Sequence, residues 1–273
     1  MRYADQHMHC TCSPDAAGSL ADMAAAAARA GLRHITFTDH LDMAEESSGR
    51  TAAAPLARRA GAFCRRREEY KHLAVPGLEI SLGIELGEIA QNPEEARAAA
   101  AADGLDLVIG SVHNLPDLPD FYFYPYADEA ECRRLNHLYL QELCRTAELD
   151  AFDVMGHIGY TSRYMSRRGF RERITLEEYG DELRTLFETL IRRGKGIECN
   201  ASGFRSVGAP FPDRPLLKLY RALGGEIITV GGDCHDPGPV GRYIPETYAL
   251  LADCGFRAVC EFRRRQPTFV SLG

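Results

Sequence analysis

The segment that decides the fold lies at residues 5–15 and reads DQHMHCTCSPD. Side chains on an extended strand alternate between two faces, so Asp5, His7 and His9 point the same way. Two imidazoles at this spacing are about 7 Å apart and can bind one metal ion. The segment therefore predicts a first strand that ends in a metal-binding pair, whose other ligands come from later parts of the chain.

Further strands alternate with helices along the rest of the chain. Short β-branched and apolar runs predict strands, and capping residues such as Ser19 and Thr175 predict helix starts. The predicted strands are residues 2–9, 32–38, 78–86, 105–110, 152–157, 196–200 and 226–230, and the predicted helices are residues 19–30, 56–70, 93–102, 128–149, 175–193, 213–223 and 246–254. Seven strands alternating with helices predict a parallel α/β fold.

No change of composition divides the chain, so we expect a single domain over residues 1–273. In parallel β/α folds the chemistry lies at the carboxyl ends of the strands, and closure into a barrel brings these ends together. Residues 42–55 are predicted to be a loop, and residues 65–67, three arginines, are expected on a solvated helix face. Residues 114–127, rich in aromatic side chains, are predicted to form a long loop that serves as a lid or cavity wall.

Candidate metal ligands recur at the predicted strand ends. Six of the nine histidines lie there, whereas His34, His72 and His137 do not and are not expected to bind metal. The candidate ligands are His7, His9, Asp15, His40, Glu85, His113, His157, Asp233 and His235. Imidazoles and carboxylates suit Zn²⁺, Mn²⁺ or Fe²⁺, and nine ligands are too many for one tetrahedral ion. We therefore predict two or three divalent ions, with Glu85 as a bridge.

These motifs, taken in order, resemble those of the polymerase and histidinol phosphatase (PHP) superfamily, and within it the histidinol-phosphate phosphatases. The matching segments are Asp5-x-His7-x-His9, residues 38–40, 83–85, 110–113, 156–157, 198–205 and 232–235, which cover nearly the whole chain. The resemblance implies a distorted seven-stranded (β/α)7 barrel, similar to a TIM barrel, with a trinuclear metal centre.

The family pattern also implies how the ligands divide. One ion would take His7, His9, Glu85 and Asp233; a second would take Glu85, His113 and His157; the third would take Asp15, His40 and His235. Two positions depart from the pattern: relatives often carry His at the position of Asp15 and tend to carry Asp at the position of Gly159. Asp5 is expected outside the ligand set, orienting an imidazole.

The resemblance implies a phosphomonoesterase that hydrolyses L-histidinol phosphate to L-histidinol and phosphate with a metal-bridging hydroxide. Arg163 and Arg205 resemble arginine positions of this branch, and the guanidinium fork suits phosphate. Asn200 and Ser202 are further candidates for substrate binding. Asp233 or His235 is expected to protonate the leaving alkoxide.

Composition limits the partners. A formal charge of −7 and a pI near 5.7 disfavour a broad nucleic-acid surface and leave room for a local basic pocket that binds a small phosphorylated substrate. No apolar run is long enough for a membrane span or a leader, and the nine cysteines include no Cys-x-x-Cys pair, so we expect a cytoplasmic protein with reduced thiols. The oligomeric state stays open.

Two alternatives remain at this stage. A PHP phosphodiesterase or nuclease acting on nucleotides or short nucleic acid would use an aromatic or basic track, and residues 121–124, Phe-Tyr-Phe-Tyr, are compatible with base stacking. A non-catalytic, metal-stabilised interaction module would lack some ligands, and none is plainly missing here.

Overall fold

Parallel strands form the centre of the fold, and the computed structural model describes residues 2–43 and 68–272. The predicted loop at residues 42–55, most of the predicted helix at residues 56–70 and the three arginines at residues 65–67 lie outside the described residues. Residues 68–72, at the end of that predicted helix, are helical.

Seven strands follow one another around the sheet in chain order, with one short strand added. The strands are β1 (Ala4–Met8), β2 (His34–Phe37), β3 (His40–Asp42), β4 (Glu79–Gly87), β5 (Leu107–Ser111), β6 (Val154–Met155), β7 (Gly196–Asn200), β8 (Ile228–Gly231), β9 (Ala258–Arg263) and β10 (Gln266–Ser271). The order in the sheet is β1-β2-β4-β5-β6-β7-β8, all parallel, and β3 pairs with the second half of β4.

The sheet is nearly closed into a barrel by contacts between its first and last strands. The Asp233 N–H donates to His7 O at 2.8 Å, and the His9 N–H donates to Cys234 O at 2.9 Å. These bonds lie where both strands end, so closure is tightest at the carboxyl ends. The predicted (β/α)7 barrel is confirmed.

Helices cover the outside of the sheet, and most begin at the capping residues that the sequence predicts. They are α1 (Leu20–Arg29), α2 (Pro93–Ala100), α3 (Glu129–Ala147), α4 (Thr161–Arg167), α5 (Leu176–Arg192), α6 (Gly203–Val207), α7 (Arg214–Ala222) and α8 (Ile244–Asp253). The hydroxyls of Ser19 and Thr175 accept from the backbone N–H three residues later, at Asp22 and Glu178. Among the described residues, no helix is both long and apolar enough to cross a bilayer.

Two short helices and a hairpin were not predicted. Helices α4 and α6 have seven and five residues, too few to show a helical period in the sequence. The hairpin of β9 and β10 is antiparallel and follows the last strand of the barrel. Strand β9 is buried over its four central residues and β10 is largely exposed, so neither shows the regular alternation of a half-buried strand.

The hairpin closes the end of the barrel where the strands begin. Cys260 and Phe262 of β9 pack in a buried cluster with Leu107, Ile109 and Val154 of β5 and β6. This apolar cluster is separate from the large core between the sheet and the helices. Among the described residues, the hairpin therefore covers the end of the barrel opposite to the candidate ligands.

A side-chain amide attaches the hairpin to the first strand. Gln6, buried in β1, accepts from the Phe262 N–H at 3.0 Å and donates to Cys260 O. The Gln6 amide thus makes the same pair of hydrogen bonds to the backbone of β9 that a neighbouring strand would make. Gln6 and His7 are neighbours on β1, so their side chains lie on opposite faces of the strand. Gln6 contacts the hairpin at the closed end of the barrel, and His7 contacts the candidate ligand cluster.

We expect Phe262→Ala to lower the free energy of unfolding by about 3–5 kcal/mol, because it removes a buried ring from the closing cluster. Phe269→Ala is the matched control in the same hairpin, since Phe269 is 52% exposed. It should change stability by about 0.5 kcal/mol or less. Urea unfolding followed by circular dichroism measures both, and equal losses would contradict this account of the hairpin.

Candidate metal centre

The nine candidate ligands meet at the open end of the barrel, around one carboxylate. Each lies near a strand end or in the segment that follows it: His7, His9 and Asp15 after or in β1, His40 after β2 at the start of β3, Glu85 in β4, His113 after β5, His157 after β6, and Asp233 and His235 after β8. Strand register contributes directly, since His40 of β3 is paired with Glu85 of β4. The geometry is that of a polynuclear cluster with Glu85 in the middle.

One oxygen of Glu85 faces the later strands. Glu85 Oε1 lies 3.2 Å from His113 Nε2 and 2.9 Å from His157 Nε2, and it accepts from the Ser111 hydroxyl at 2.6 Å. These three residues follow β5 and β6 or end β5. Glu85 is completely buried, so its charge is matched only by groups of the protein or by a bound cation.

The other oxygen faces the first strands. Glu85 Oε2 lies 2.9 Å from His40 Nδ1, 3.2 Å from His7 Nε2 and 3.5 Å from His9 Nε2. Asp233 Oδ1 approaches the same pair of histidines, 3.8 Å from His7 Nε2 and 3.5 Å from His9 Nε2. Together the two oxygens of Glu85 join both halves of the cluster.

A third group lies nearer to solvent. Asp15 Oδ2 is 3.5 Å from His235 Nε2 and 3.7 Å from His40 Nε2, and the two imidazole nitrogens are 3.3 Å apart. The Asp15 side chain is 43% exposed, whereas His9, whose ring stacks on His40 and His235, is buried. The cluster is therefore graded from a buried floor to a solvent-facing rim.

The atoms of the cluster suit cations better than hydrogen bonds. His7 Nε2 and His9 Nε2 are only 3.0 Å apart, and Glu85 Oε2 is buried without a hydrogen-bond partner although three imidazole nitrogens lie within 3.5 Å. Nitrogen lone pairs and carboxylate oxygens that converge in this way are the donor set of Zn²⁺ and similar ions. The residues present thus fit divalent metal.

Electrostatics keep the carboxylates ionised. Burial alone would raise the pKa of Glu85, but His7, His40 and His113 hold that pKa well below its usual range. Asp233 behaves likewise, because His7, His9 and Arg163 outweigh its burial and keep its pKa low.

The imidazoles divide into two classes. Burial and the neighbouring His235 and His40 lower the pKa of His9 well below its usual range, and burial lowers the pKa of His157. Burial acts the same way on His7, but the carboxylates around it raise its pKa well above the usual range. Neutral imidazoles such as those of His9 and His157 offer a free lone pair to a metal.

Two carboxylates outside the predicted set contact three of the histidines. Glu198 Oε1 lies 2.7 Å from His7 Nδ1, and its Oε2 accepts from the His157 N–H at 2.9 Å. Asp42 Oδ1 lies 3.5 Å from His113 Nδ1. The contacts at Nδ1 of His7 and His113 orient these rings so that Nε2 faces the cluster. Sequence reasoning gave Glu198 no role, although a carboxylate in the middle of a buried strand was a signal for one.

The sequence suggested that Asp5 orients an imidazole, but the Asp5 carboxylate binds backbone N–H groups instead. Its Oδ1 accepts from the backbone N–H groups of Gly232 at 2.8 Å and His7 at 3.2 Å. Asp5 therefore joins β1 to the end of β8, and burial raises its pKa to about 6. The expectation was wrong because strand alternation gives the face of a side chain but not its partner across the barrel.

A cavity of about 650 Å³ opens above the cluster. Its walls are lined by Asp120, Tyr122, Phe123, Tyr160, Arg163, Tyr164 and Arg167, and its floor includes His40, Glu85, His113, His157, Asp233 and His235. The predicted role of residues 114–127 as a cavity wall is confirmed by Asp120, Tyr122 and Phe123. Tyr122 and Phe123 are also exposed, at 54% and 47%, so they form the rim.

Of the two predicted arginines, Arg163 lines the cavity beside the cluster. Arg163 Nη2 lies 3.2 Å from Asp233 Oδ2 and donates to the Ser202 hydroxyl, and its guanidinium lies 5.0 Å from the centre of the Tyr160 ring. Arg205 instead donates to the carbonyls of Gly232 and Asp233, both at 3.4 Å.

Asn200 and Ser202 lie beneath the cavity wall. The Ser202 hydroxyl donates to Asn200 Oδ1 and lies 3.2 Å from Asp233 Oδ2, while Asn200 Nδ2 donates to Glu198 Oε2 at 3.0 Å. Both side chains are buried. Direct contact of Asn200, Ser202 or Arg205 with a substrate stays a prediction.

The three histidines outside the predicted set lie away from the cluster. His72 is exposed, and His137 on α3 contacts Glu182 on α5 at 2.7 Å. His34 lies near Glu79 and Glu261 at the closed end of the barrel, a group close enough to hold an ion.

Arginines already occupy that second group. Arg263 Nη1 lies 2.7 Å from His34 Nε2, and Arg263 and Arg2 both pair with Glu79. The positive charge that a cation would bring is therefore supplied by the protein.

Comparison with known proteins agrees with the fold and the cluster. The family model of the PHP domain matches residues 5–202, so the chain belongs to the PHP domain family. It is 25% identical over 256 residues to a probable histidinol-phosphatase of Thermotoga maritima, with 92% of each chain covered. It is also 25% identical over 267 residues to the histidinol-phosphatase of Lactococcus lactis, with 96% of this chain and 95% of the other covered.

A solved structure shares the whole fold. The crystal structure of the Lactococcus lactis histidinol phosphate phosphatase, complexed with zinc, L-histidinol and phosphate, aligns with a TM-score of 0.77 at 23% identity. The alignment covers 98% of this chain and 99% of that one. The similarity of fold therefore extends over nearly the full length of both chains.

We expect Glu85→Gln to lower the number of metal ions bound per chain, because the neutral amide cannot bridge cations with both of its terminal atoms. Glu79→Gln is the matched control, the same change at the other end of β4. Plasma mass spectrometry of metal-loaded, desalted protein gives the count. A Glu85→Gln protein with the wild-type metal content would refute the role of this carboxylate.

Proposed function

We propose that this chain is a metal-dependent phosphomonoesterase that hydrolyses L-histidinol phosphate to L-histidinol and phosphate. The observation that carries the proposal is the ligand cluster around Glu85 on the floor of a cavity, with the Arg163 guanidinium beside it. The relatives named histidinol-phosphatases, similar over nearly their whole length, support the choice of substrate. We also propose that residues 1–273 form one domain.

The distances support a division of the ligands among three ion positions. His7, His9, Glu85 and Asp233 would hold one ion, and Glu85, His113 and His157 a second. Asp15, His40 and His235 would hold the third, at the solvent-facing rim.

Zinc is present in the Lactococcus lactis structure, and the nitrogen-rich donor set also suits Mn²⁺ and Fe²⁺. We propose two or three ions of this class. When bound, they lower the pKa of water and neutralise charge on the phosphate.

The chain's own residues supply phosphate binding and proton transfer. Hydrolysis joins a water oxygen to phosphorus and breaks the bond to the alcohol oxygen, which then takes a proton. Arg163 is placed to bind phosphate oxygens through its guanidinium. Asp233 and His235 both line the cavity and are the two candidates for proton transfer. Because Asp233 is ionised, it would first take the proton that the attacking water loses and then deliver that proton to the alcohol oxygen.

Arg205, Asn200 and Ser202 support this arrangement from below. Arg205 holds the carbonyls of the turn that carries Asp233, and Ser202 contacts both Arg163 and Asp233. We propose that their effect on substrate binding passes through these two residues.

The upper cavity suits an organic leaving group with aromatic and cationic character. Tyr160, Tyr164 and Tyr122 form edge-to-face contacts along one wall, and Asp120 adds a carboxyl group. An imidazole ring and an ammonium group would find both kinds of partner there. We further propose a cytoplasmic enzyme acting on a small phosphorylated molecule rather than on a nucleic-acid polymer.

One observation favours a second candidate substrate class. Tyr122 and Phe123 are exposed at the rim, where they are able to stack on the base of a nucleotide. A non-catalytic module is disfavoured because all nine candidate ligands come together.

The test of function compares substrates in metal-defined protein. Histidinol phosphate, a nucleoside monophosphate and p-nitrophenyl phosphate are supplied with Zn²⁺, Mn²⁺ or Fe²⁺, and released phosphate is measured. We expect the highest kcat/KM for histidinol phosphate and a near-complete loss in Asp233→Asn. A preference for the nucleotide would select the second class, and no turnover with any metal would refute phosphatase activity.

We expect Arg163→Ala to lower kcat/KM by about 10- to 100-fold, because the variant loses charge-assisted hydrogen bonds to phosphate. The bound metal should remain, since Arg163 is not among the proposed ligands. Arg168→Ala, at an exposed position next to the same helix α4, is the control and should be unchanged. Equal kcat/KM in both variants would exclude Arg163 from phosphate binding.

A further inference from the structure

The Ser13 hydroxyl lies where three segments of the candidate metal centre meet. Ser13 Oγ donates to Asp39 Oδ1 at 2.6 Å and lies 3.1 Å from His9 Nδ1 and 3.2 Å from the backbone nitrogen of His40. Ser13, Asp39 and His9 are all buried, at 2%, 6% and 0% exposure, so water does not replace these contacts. The hydroxyl therefore connects the ends of β1 and β2 and the start of β3.

The direction of each hydrogen bond follows from counting protons. A hydroxyl has one proton to donate and two lone pairs to accept with. Asp39 Oδ1 also accepts from the backbone N–H groups of Cys10 at 2.9 Å and Ser13 at 3.1 Å, so it acts as an acceptor toward the hydroxyl as well. The backbone N–H of His40 can only donate. One lone pair of Ser13 Oγ is left, and it faces His9 Nδ1.

The proton on His9 is thereby placed. A nitrogen that faces a lone pair at hydrogen-bond distance must carry a proton, so His9 has Nδ1–H and a free lone pair on Nε2. His9 Nε2 lies 3.0 Å from His7 Nε2 and 3.5 Å from both Glu85 Oε2 and Asp233 Oδ1. The other tautomer would set two lone pairs against each other at Ser13 and turn an N–H into the cluster.

We infer that Ser13 and Asp39 are positioning residues that select the metal-binding tautomer of His9. The inference rests on the proposed metal centre and adds two residues that lie outside its ligand set. His7 is held directly by the Glu198 carboxylate, whereas His9 is held by a carboxylate acting through a hydroxyl. The two neighbouring ligands of β1 are thus oriented in different ways, one by a carboxylate and the other by a hydroxyl bound to a carboxylate.

The hydroxyl also fixes the segment that carries Asp15. Ser13 is two residues before Asp15, and its N–H and Oγ are both bound to Asp39 at the end of β2. The position of the solvent-facing ligand is therefore set by the same carboxylate that sets the tautomer of His9. A purely structural role in this turn would affect stability but leave the affinity for metal unchanged.

The test measures metal affinity on the full chain without substrate. Apo-protein is titrated with Zn²⁺ in competition with a chromophoric chelator, and Ser13→Ala is expected to weaken binding by about 10- to 100-fold. Ser13→Thr, which keeps a hydroxyl, should recover most of the affinity. Asp39→Asn, which keeps the shape and weakens the acceptor, should give a smaller loss and serves if Ser13→Ala does not fold.

Ser81→Ala is the matched control. Ser81 is equally buried and its hydroxyl lies 2.8 Å from His34 Nε2, so the variant also removes a serine–histidine hydrogen bond, but at the closed end of the barrel. Its metal affinity should equal that of the wild type. The inference would be overturned if Ser13→Ala lost no more metal affinity than Ser81→Ala while both variants were equally stable in urea.

A spectroscopic readout tests the tautomer itself. In zinc-loaded protein with ¹⁵N-labelled histidine, long-range proton–nitrogen spectra distinguish Nδ1–H from Nε2–H rings. His9, assigned by its loss in His9→Gln, should show the Nδ1–H pattern, and an Nε2–H pattern would overturn the inference. Metal binding that depends on Ser13 in a protein without phosphatase activity would refute the proposed function and leave this inference intact.

Discussion

The structure depends on a negative charge placed in its interior. Glu85 is completely buried, and such a charge is tolerated only with partners of opposite sign at close range. Five histidine side chains, carried by β1, β3, β5 and β6 or by the residues just after them, supply nitrogens within 3.5 Å of its two oxygens. Each of those strands must end at the right height, so the requirement of one carboxylate fixes the register of most of the sheet. Loss of any one strand end would leave the charge partly unmatched.

Closure of the barrel depends on small residues at the seam between β1 and β8. A side chain at Gly231 would collide with Glu198 and with His7, and one at Gly232 would collide with the Asp5 carboxylate. The two glycines let the backbone of β8 approach β1 so closely that Asp5 reaches the Gly232 N–H. The same approach puts Asp233, with a left-handed φ of 52°, next to the histidines of β1. Closure and cluster assembly are therefore one event.

Much of this arrangement could be predicted from the sequence, and the failures have definite physical causes. Strand ends are local features, so His7, Glu85, His157 and the other candidate ligands were found from patterns of a few residues. Partners across the barrel are not local: Asp5 faces a backbone N–H and Arg205 faces two carbonyls, and no pattern around either residue shows this. Glu198 and Ser13 were missed for the same reason, since their importance comes from the histidine that each one touches. The closing hairpin was missed because its buried strand packs on the inside of strands far away in the chain.

The hairpin that closes one end of the barrel has a kinetic meaning for the proposed reaction. Because Phe262 and its neighbours fill the far end, the described part of the chain offers substrate and products the cavity mouth that Tyr122 and Phe123 rim. The alcohol would be bound nearest to that mouth, and phosphate would lie below it against Arg163. Departure is then sequential, with the alcohol first and phosphate second, and free phosphate competes with the next substrate for the emptied floor. When one end of a barrel is closed, the positions of the binding sites along its axis therefore set the order in which the products leave.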